Sequence, residues 1–144
     1  FEVRLAYRLF DVQTTYSGTL LERPFVSKHR GFANLAYETG SWKFDYTITV
    51  NGTKRIPSTA SNPQQYQLPD TSPAFTLMNA QVTKTFGKKR PFDIYLGGEN
   101  LTNFYQKQVI IAPDQPFGPN FDASMIWGPI SGRMFYTGIR FKIH

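Results

Sequence analysis

The sequence lacks several features that would assign it to a common functional class. Its 144 residues include no cysteine, which excludes disulfide bonds and thiolate metal sites. The only two histidines, His29 and His144, are far apart and show no metal-ligand spacing. No segment approaches the roughly 20 consecutive apolar residues that a membrane-spanning helix needs. We therefore expect no metal site, no cofactor and no membrane helix.

A catalytic pattern is also missing. Three carboxylates, Asp45, Asp93 and Glu99, fall on or beside predicted strands, but no nucleophile and base accompany them. We expect no catalytic residue, and we predict that the protein is not an enzyme.

The beginning of the chain carries no initiator methionine, charged n-region or apolar signal core. Residues 1–5 (FEVRL) already alternate like a strand. On this basis we expect residues 1–144 to be one segment of a longer protein.

Aromatic residues are what the sequence has in abundance. They make up 16% of the chain, with 13 Phe and 8 Tyr, whereas the hydrophobic fraction is only 40% and the mean hydropathy is -0.37. A chain that is polar on average but rich in rings is typical of outer-membrane β-barrels, in which apolar and polar residues alternate and rings gather at both interfaces.

The formal charge of +6 permits binding to nucleic acid or to an anionic membrane surface. The basic residues are nevertheless scattered, with dense clusters only at residues 28–30 (KHR) and 88–90 (KKR). Scattered solvated charge is the favoured interpretation, so we expect no nucleic-acid partner. A soluble β-rich module that binds nucleic acid or polysaccharide stays open as the alternative.

Alternation with a two-residue period is the main structural signal. In residues 42–50 (WKFDYTITV) every even position is apolar or aromatic and every odd position is polar, which indicates a strand with one apolar face. The same pattern recurs in residues 1–9, 78–83, 92–96 and 133–143, and more weakly in 33–38. We therefore predict six strands.

The connections between these strands alternate between short and long. Residues 39–41 and 87–91 are short and turn-like, whereas residues 13–29, 51–75 and 103–132 are long. Such alternation is expected where one barrel rim faces the periplasm and the other the exterior. The predicted fold is all-β, an antiparallel transmembrane β-barrel. A passive porin-like barrel would share all of these features.

The last fifty residues resemble the C-terminal part of TonB-dependent outer-membrane receptors. The resemblance rests on the strand followed by Glu99-Asn100-Leu101-Thr102-Asn103, on residues 121–129 (FDASMIWGP), and on the final strand. It implies a 22-stranded barrel in the bacterial outer membrane, of which residues 1–144 supply about six C-terminal strands. It also implies a plug domain elsewhere that engages the TonB complex, and energy-dependent uptake of a scarce small nutrient such as an iron complex, haem or cobalamin.

The end of the chain resembles a terminal assembly signal. Gly138, Phe141 and Ile143 match the pattern that outer-membrane proteins present to the barrel-assembly machinery. The alternative is that Gly138 only relieves crowding beside a ring in a lipid-facing strand.

The long connections carry the residues that we predict to contact a ligand, since external loops are where a receptor meets its ligand first. These residues are Tyr66, Asp70, Asp114, Phe117, Asp122 and Trp127. The alternative for the rings is that they pack the loops against one another.

Overall fold

The structure is a computed structural model that describes residues 1–87 and 91–141. It contains eight strands and one short 3-10 helix at Gln64–Tyr66. Among the described residues no helix is long and apolar enough to cross a membrane. The strands are β1 (Glu2–Leu9), β2 (Gln13–Tyr16), β3 (Thr19–Glu22), β4 (His29–Thr39), β5 (Trp42–Asn51), β6 (Phe75–Phe86), β7 (Phe92–Glu99) and β8 (Met134–Phe141).

Six of the strands form one antiparallel sheet in the order β1-β4-β5-β6-β7-β8. The all-β class, the antiparallel pairing and the six main strands are thus confirmed. Within the described residues β1 and β8 each pair on one side only, so the finer prediction of a transmembrane barrel stays a prediction. The sequence missed the β2–β3 hairpin, which lies inside the first long connection and turns at Ser17 and Gly18, both with positive φ.

The two ends of the sheet differ in the length of their connections. At one end β5 follows β4 after two residues, and β7 follows β6 after five, of which residues 88–90 lie outside the described part. At the other end lie residues 10–28, 52–74 and 100–133. Because successive strands are antiparallel, all the long connections leave from the same end. We call these ends the short-turn end and the long-loop end.

The register sorts the side chains by polarity. Residues paired across antiparallel strands point to the same face, and the pairing Leu35↔Tyr46↔Ala80 is representative. One face, which we call the apolar face, carries mostly aliphatic and aromatic residues: Val3, Leu5, Tyr7, Leu9, Ala33, Leu35, Tyr37, Trp42, Phe44, Tyr46, Ile48, Val50, Met78, Ala80, Val82, Phe86, Phe92, Ile94, Leu96, Phe135, Ile139 and Phe141.

The opposite face, which we call the polar face, carries most of the charged and amide side chains of the sheet. They are Glu2, Arg4, Arg8, Arg30, Asn34, Glu38, Lys43, Asp45, Asn51, Asn79, Gln81, Asp93, Glu99 and Arg140. A slip of one residue in any strand would exchange its two sets of side chains. The alternation therefore fixes the register of all six strands at once.

Large apolar side chains are exposed on the apolar face, while some polar side chains of the polar face are buried. Leu5 is 76% exposed and Phe135 69% exposed on the apolar face, whereas Asn34 and Thr83 on the polar face are 8% and 7% exposed. The whole chain exposes 10133 Å², against about 7,500 Å² for a compact monomer of its mass. The excess is what an uncovered sheet face produces.

The long connections 52–74 and 100–133 pack together, and we call them the loop layer. Its small core contains Tyr66, Ile111 and Ala112, with Leu68 and Met125 packed against them. The apolar side chains of this core are shielded from water, as in the core of a water-soluble protein. The loop layer thus has a buried apolar core, whereas the sheet exposes its apolar face.

Candidate functional site

Aromatic rings border the apolar face at the short-turn end. Trp42 and Tyr37 each stack on Phe44 with centroids 6.2 Å apart, and Phe92 stacks on Phe86 at 5.4 Å and on Phe141 at 5.6 Å. Register explains the grouping, because Phe86, Phe92 and Phe141 are cross-strand neighbours at the ends of β6, β7 and β8. The rings form a belt with an apolar body and polar groups just beyond it.

Among the described residues, the side chains on the apolar face that carry a basic nitrogen, His29 and Lys84, lie near its borders. At the short-turn end, the Lys84 ammonium donates to the Ser41 hydroxyl at 2.5 Å and lies 4.5 Å from the Trp42 ring centroid. At the long-loop end, the Tyr7 hydroxyl and His29 Nδ1 are 2.6 Å apart. A lysine with its stem on apolar surface and its charge at the border is the arrangement called snorkelling.

The polar face holds its buried groups in hydrogen bonds. Asn34 donates through Nδ2 to the Asp45 carboxylate at 3.1 and 3.2 Å and to the Thr47 hydroxyl at 2.9 Å. Thr85 donates to Asp93 at 2.7 Å. Among the described residues, no buried side-chain nitrogen or oxygen is left without a partner. This face is therefore polar and internally satisfied.

Residues 99–103, on which the family resemblance rests, form the turn that leaves β7. Asn100 has a positive φ of 49°, a conformation that asparagine tolerates better than most residues. Its Nδ2 donates to the carbonyl oxygens of Phe104 at 2.7 Å and Ser131 at 3.1 Å, and its backbone N–H donates to Asn79 Oδ1 at 2.9 Å. The motif thus has a structural role, because it joins β6, β7 and the third long connection.

The same turn holds the approach to β8. The Arg133 guanidinium donates to the Leu101 carbonyl at 2.7 and 3.1 Å, and the Arg133 N–H donates to Asn103 Oδ1 at 2.9 Å. A segment 30 residues further along the chain is therefore fixed against the motif. That contact sets where β8 begins to pair with β7.

Gln106 is the buried hub of the loop layer, with 2% exposure. Its Nε2 donates to the carbonyls of Gln108 and Met125 at 2.7 and 2.8 Å, and its Oε1 accepts from the N–H groups of Trp127 and Gly128 at 2.9 and 3.2 Å. One side chain thus satisfies four backbone groups, which fixes residues 125–128 against residues 104–108.

Lys54 links the two halves of the loop layer. Its ammonium donates to the Trp127 carbonyl and lies 5.2 Å from the Phe75 ring centroid. Burial is the main cause that lowers the pKa of Lys54 from its ordinary value, and the positive charge of Arg30 lowers the pKa further. Phe75 also stacks on Phe104, with centroids 4.7 Å apart. The two loops therefore meet through the Lys54 ammonium, and the ring of Phe104 stacks on the first residue of β6.

A cavity of about 310 Å³ lies between the two loops of the loop layer. One wall comes from residues 56–73 and the other from residues 104–108 and 127. Its lining is mostly apolar and includes Ile56, Leu68, Pro73, Phe104, Tyr105 and Trp127, with Lys107 as a charged member.

Some of the predicted ligand-contact residues are packed or hydrogen-bonded within the loop layer, and others are exposed to solvent. Tyr66 is buried and donates through its hydroxyl to the Asp114 carboxylate at 2.9 Å, and Asp122 accepts from the Ser124 N–H and hydroxyl at 2.7 Å. Trp127 is half-buried and lines the cavity, whereas Asp70 and Phe117 are exposed, Phe117 fully. The structure brings together Tyr66 and Asp114, while Trp127 alone of the six lines the cavity.

Sequence reasoning missed the other residues of the cavity wall. Phe104, Tyr105, Gln106 and Lys107 directly follow the 99–103 turn, yet their segment has no alternation and no turn chemistry that marks a wall. The adjacent rings Phe104-Tyr105 were the one local signal. Their partners lie more than 20 residues away in the chain, so the wall forms only through contacts that no local pattern encodes.

The predicted assembly signal falls partly outside the described residues, since Ile143 is not among them. Phe141 lies in the aromatic belt, 68% exposed. Gly138 faces the Tyr95 ring, and a Cβ at this glycine would lie 2.3 Å from the Tyr95 hydroxyl oxygen. This contact supplies a packing reason for Gly138, and recognition by the assembly machinery stays a prediction.

A second tyrosine and glycine are arranged in the same way on the neighbouring pair. Gly97 is paired with Tyr136, and a Cβ at Gly97 would lie 2.2 Å from that ring. The Tyr95 ring of β7 thus lies over Gly138 of β8, and the Tyr136 ring of β8 lies over Gly97 of β7. This arrangement holds the two strands in one register.

Comparison with known proteins gives no match to a family model, a curated protein or a solved structure. Within the described part of the chain, no three His, Cys, Asp or Glu residues are placed to hold a metal ion. The geometry of the sheet and of the loop layer is therefore the basis for any functional conclusion.

Proposed function

We propose that this chain is a membrane-spanning section of an outer-membrane receptor of the TonB-dependent type, which takes up a scarce nutrient such as an iron complex, haem or cobalamin. The observation that carries the proposal is the pair of opposite faces. Six strands in one register present exposed aliphatic and aromatic side chains on one side and polar side chains on the other, of which Asn34 and Thr83 are buried.

The dimensions of the apolar face suit a bilayer. On β5 the apolar face runs from Trp42 to Val50, eight residue steps, or roughly 27 Å at about 3.4 Å per residue. A strand tilt of about 40° reduces this to roughly 21 Å of height, close to the apolar band of about 25 Å on known outer-membrane barrels. The aromatic belt and the snorkelling Lys84 lie at the border, where rings and long cations are favoured.

In water the same face would be unfavourable. Contiguous apolar patches larger than a few hundred Å² are rare on soluble monomers, and this patch extends across all six strands. Burial of apolar surface is worth about 25 cal/mol per Å², so lipid contact would contribute substantially to stability. Within the described residues the outer edges of β1 and β8 have no partner strand, which fits continuation into a closed barrel, because lipid does not tolerate unpaired backbone groups.

The remaining parts of the proposal come from the resemblance in residues 94–103 and 121–143. The polar face would line the lumen and contact a plug domain that engages the TonB complex, while the apolar face would contact outer-membrane lipid. The barrel-assembly machinery would insert the chain. The loop layer would lie outside the cell, because the long connections of such barrels are extracellular.

Cell fractionation and uptake assays on the full-length protein test this proposal in sequence. We expect the protein in the outer-membrane fraction, released by detergent and retained through high-salt and urea washes. We then expect a deletion strain to lose growth on one iron, haem or cobalamin source, and the loss to be reproduced by removing TonB.

Two other outcomes would contradict the proposal in different ways. A water-soluble monomer whose binding to polyanions weakens steeply with salt would support the soluble binding module instead. An outer-membrane protein whose substrate enters equally well without TonB would support the passive porin-like barrel.

A further inference from the structure

We infer that the cavity between the two loops of the loop layer binds a planar aromatic acid, or the part of a larger ligand that has this character. The inference deepens the proposed function by naming a ligand class. It depends on that function only for what happens to the bound molecule, because binding itself is measurable in isolation.

The size and the lining of the cavity favour a ligand with an aromatic ring. Ligand cavities in proteins span about 300–1,000 Å³ and are mostly apolar; at about 310 Å³ this one lies at the lower limit, which suits one or two rings. Phe104, Tyr105 and Trp127 supply aromatic walls, and Tyr105 is 44% exposed. Aromatic side chains favour stacked or edge-on contact with a flat ring.

The positive charge at the cavity wall favours a ligand that carries a carboxylate. Among the described residues Lys107 is the one charged side chain in the wall, and its side chain is exposed. The nearby ammonium of Lys54 adds positive charge but is directed to the Trp127 carbonyl. Asp70 lies between two lining residues, Pro69 and Thr71, without lining the cavity itself. A bound carboxylate would therefore find an exposed cation at the wall and, among the described residues, no carboxylate in the lining.

The walls are held in place before any ligand arrives. Gln106 fixes the segments of Trp127 and Tyr105 through its four side-chain hydrogen bonds. On the opposite wall, Lys54 and Ser72 bind each other, with the Ser72 N–H 2.9 Å from the Lys54 carbonyl and the Lys54 N–H 3.1 Å from the Ser72 hydroxyl. A preorganised cavity loses little entropy when it binds a rigid ligand.

Isothermal titration calorimetry on the detergent-solubilised full-length protein tests the inference. The probe is 1-naphthoate, and 1-naphthalenemethanol is the matched probe with the same rings and no charge. We expect naphthoate to bind about 10-fold more tightly than the alcohol, because only the carboxylate forms a charge-assisted hydrogen bond with the Lys107 ammonium.

Substitutions in the cavity wall test whether the probes bind in this cavity. Lys107→Gln should weaken naphthoate about 10-fold and leave the alcohol unchanged, while Lys107→Arg should retain naphthoate. Tyr105→Ala should weaken both probes. Tyr16→Ala is the matched control, since Tyr16 is a similarly exposed ring, 40% against 44%, which lies against Arg55 and does not line the cavity; the variant should bind both probes like the unsubstituted protein.

The inference is overturned if naphthoate does not bind, if the alcohol binds as tightly, or if Lys107→Gln and Tyr105→Ala leave binding unchanged. These outcomes are separate from those of the proposed function. If a water-soluble protein binds naphthoate, the cavity site stands and the receptor function is rejected. If uptake depends on TonB but naphthoate does not bind, the receptor function stands and the cavity site is rejected.

Discussion

The sheet and the loop layer differ in where they place their apolar side chains. On the apolar face of the sheet Leu96 is 62% exposed, whereas in the core of the loop layer Ile111 is 1% exposed. The hydrophobic effect drives apolar groups away from water wherever water is the solvent. An exposed apolar face and a buried apolar core in one chain are what the proposed function expects, with lipid around the sheet and water around the loops.

The largest effect that we expect comes from placing a charge on the apolar face. Leu96→Arg lies near the middle of β7, where lipid contact would make arginine unfavourable by about 2–4 kcal/mol. If the face is in water, the same substitution at a 62% exposed position should change the free energy of unfolding by less than about 0.5 kcal/mol.

The measurement is urea-induced unfolding of the full-length protein in lipid vesicles. Gln81→Arg is the matched control, because Gln81 lies on the neighbouring strand and faces the polar side. Equal effects of Leu96→Arg and Gln81→Arg would remove the distinction between the two faces.

A comparable loss is expected in the loop layer from Gln106→Leu. The substitution keeps the size of the side chain but leaves four backbone groups without their partner, and each buried unsatisfied group costs about 1–3 kcal/mol. Water reaching the opened site would reduce the sum to roughly 2–4 kcal/mol.

Hydrogen exchange measures this effect locally. The amides of Trp127 and Gly128 should lose protection in Gln106→Leu, while amides in β5 should keep theirs. Unchanged exchange at Trp127 would mean that the side-chain hydrogen bonds of Gln106 do not stabilise residues 125–128.

A smaller effect is expected from Gly138→Ala. The added Cβ would meet the Tyr95 ring, and overpacking of this kind costs about 1–3 kcal/mol. Gly31→Ala is the control, because a Cβ there meets only Val50 at 3.9 Å and should be tolerated.

The double variant Tyr95→Ala with Gly138→Ala separates packing from assembly. If Gly138 serves packing, removing the ring restores folding and insertion in an assembly assay. If insertion stays defective in the double variant, Gly138 acts through recognition by the assembly machinery.

The smallest effect is expected from Tyr66→Phe. It removes the hydroxyl that donates to Asp114 at 2.9 Å but keeps the ring in the core, so the free energy of unfolding should fall by about 0.5–1.5 kcal/mol. Thermal unfolding of the full-length protein measures the change. The control is Tyr16→Phe on the exposed hairpin, and an equal shift in both variants would show that the Tyr66 hydroxyl has no special role.

The sequence predicted the sheet well because its information is local. Alternation at residues 42–50 and 133–143 defines strand, face and register without any distant partner. The bounds were less accurate: β4 begins at His29 and β6 at Phe75, earlier than predicted, since Gly31 and Thr76 interrupt the apolar pattern. The hairpin at Gln13–Glu22 escaped because its exposed strands, four residues each, have no buried face to mark them.

The loop layer was less predictable because its structure depends on distant contacts. Tyr66 meets Asp114 across 48 residues, and Lys54 meets Trp127 across 73. Nothing in the sequence near either member signals its partner. The predicted ligand-contact residues therefore include Tyr66 of the loop core and Trp127 of the cavity. They do not include Tyr105, Gln106 and Lys107.

Spin labels along β5 test the central claim most directly. Single cysteines at residues 44 to 49 of the full-length protein, reconstituted in vesicles, would carry a nitroxide whose collisions with oxygen report lipid and with a nickel chelate report water. A face in lipid predicts high oxygen accessibility at Phe44, Tyr46 and Ile48 and low values at Asp45, Thr47 and Thr49. Equal accessibility at all six positions, or nickel accessibility highest at the even positions, would contradict a membrane-facing sheet.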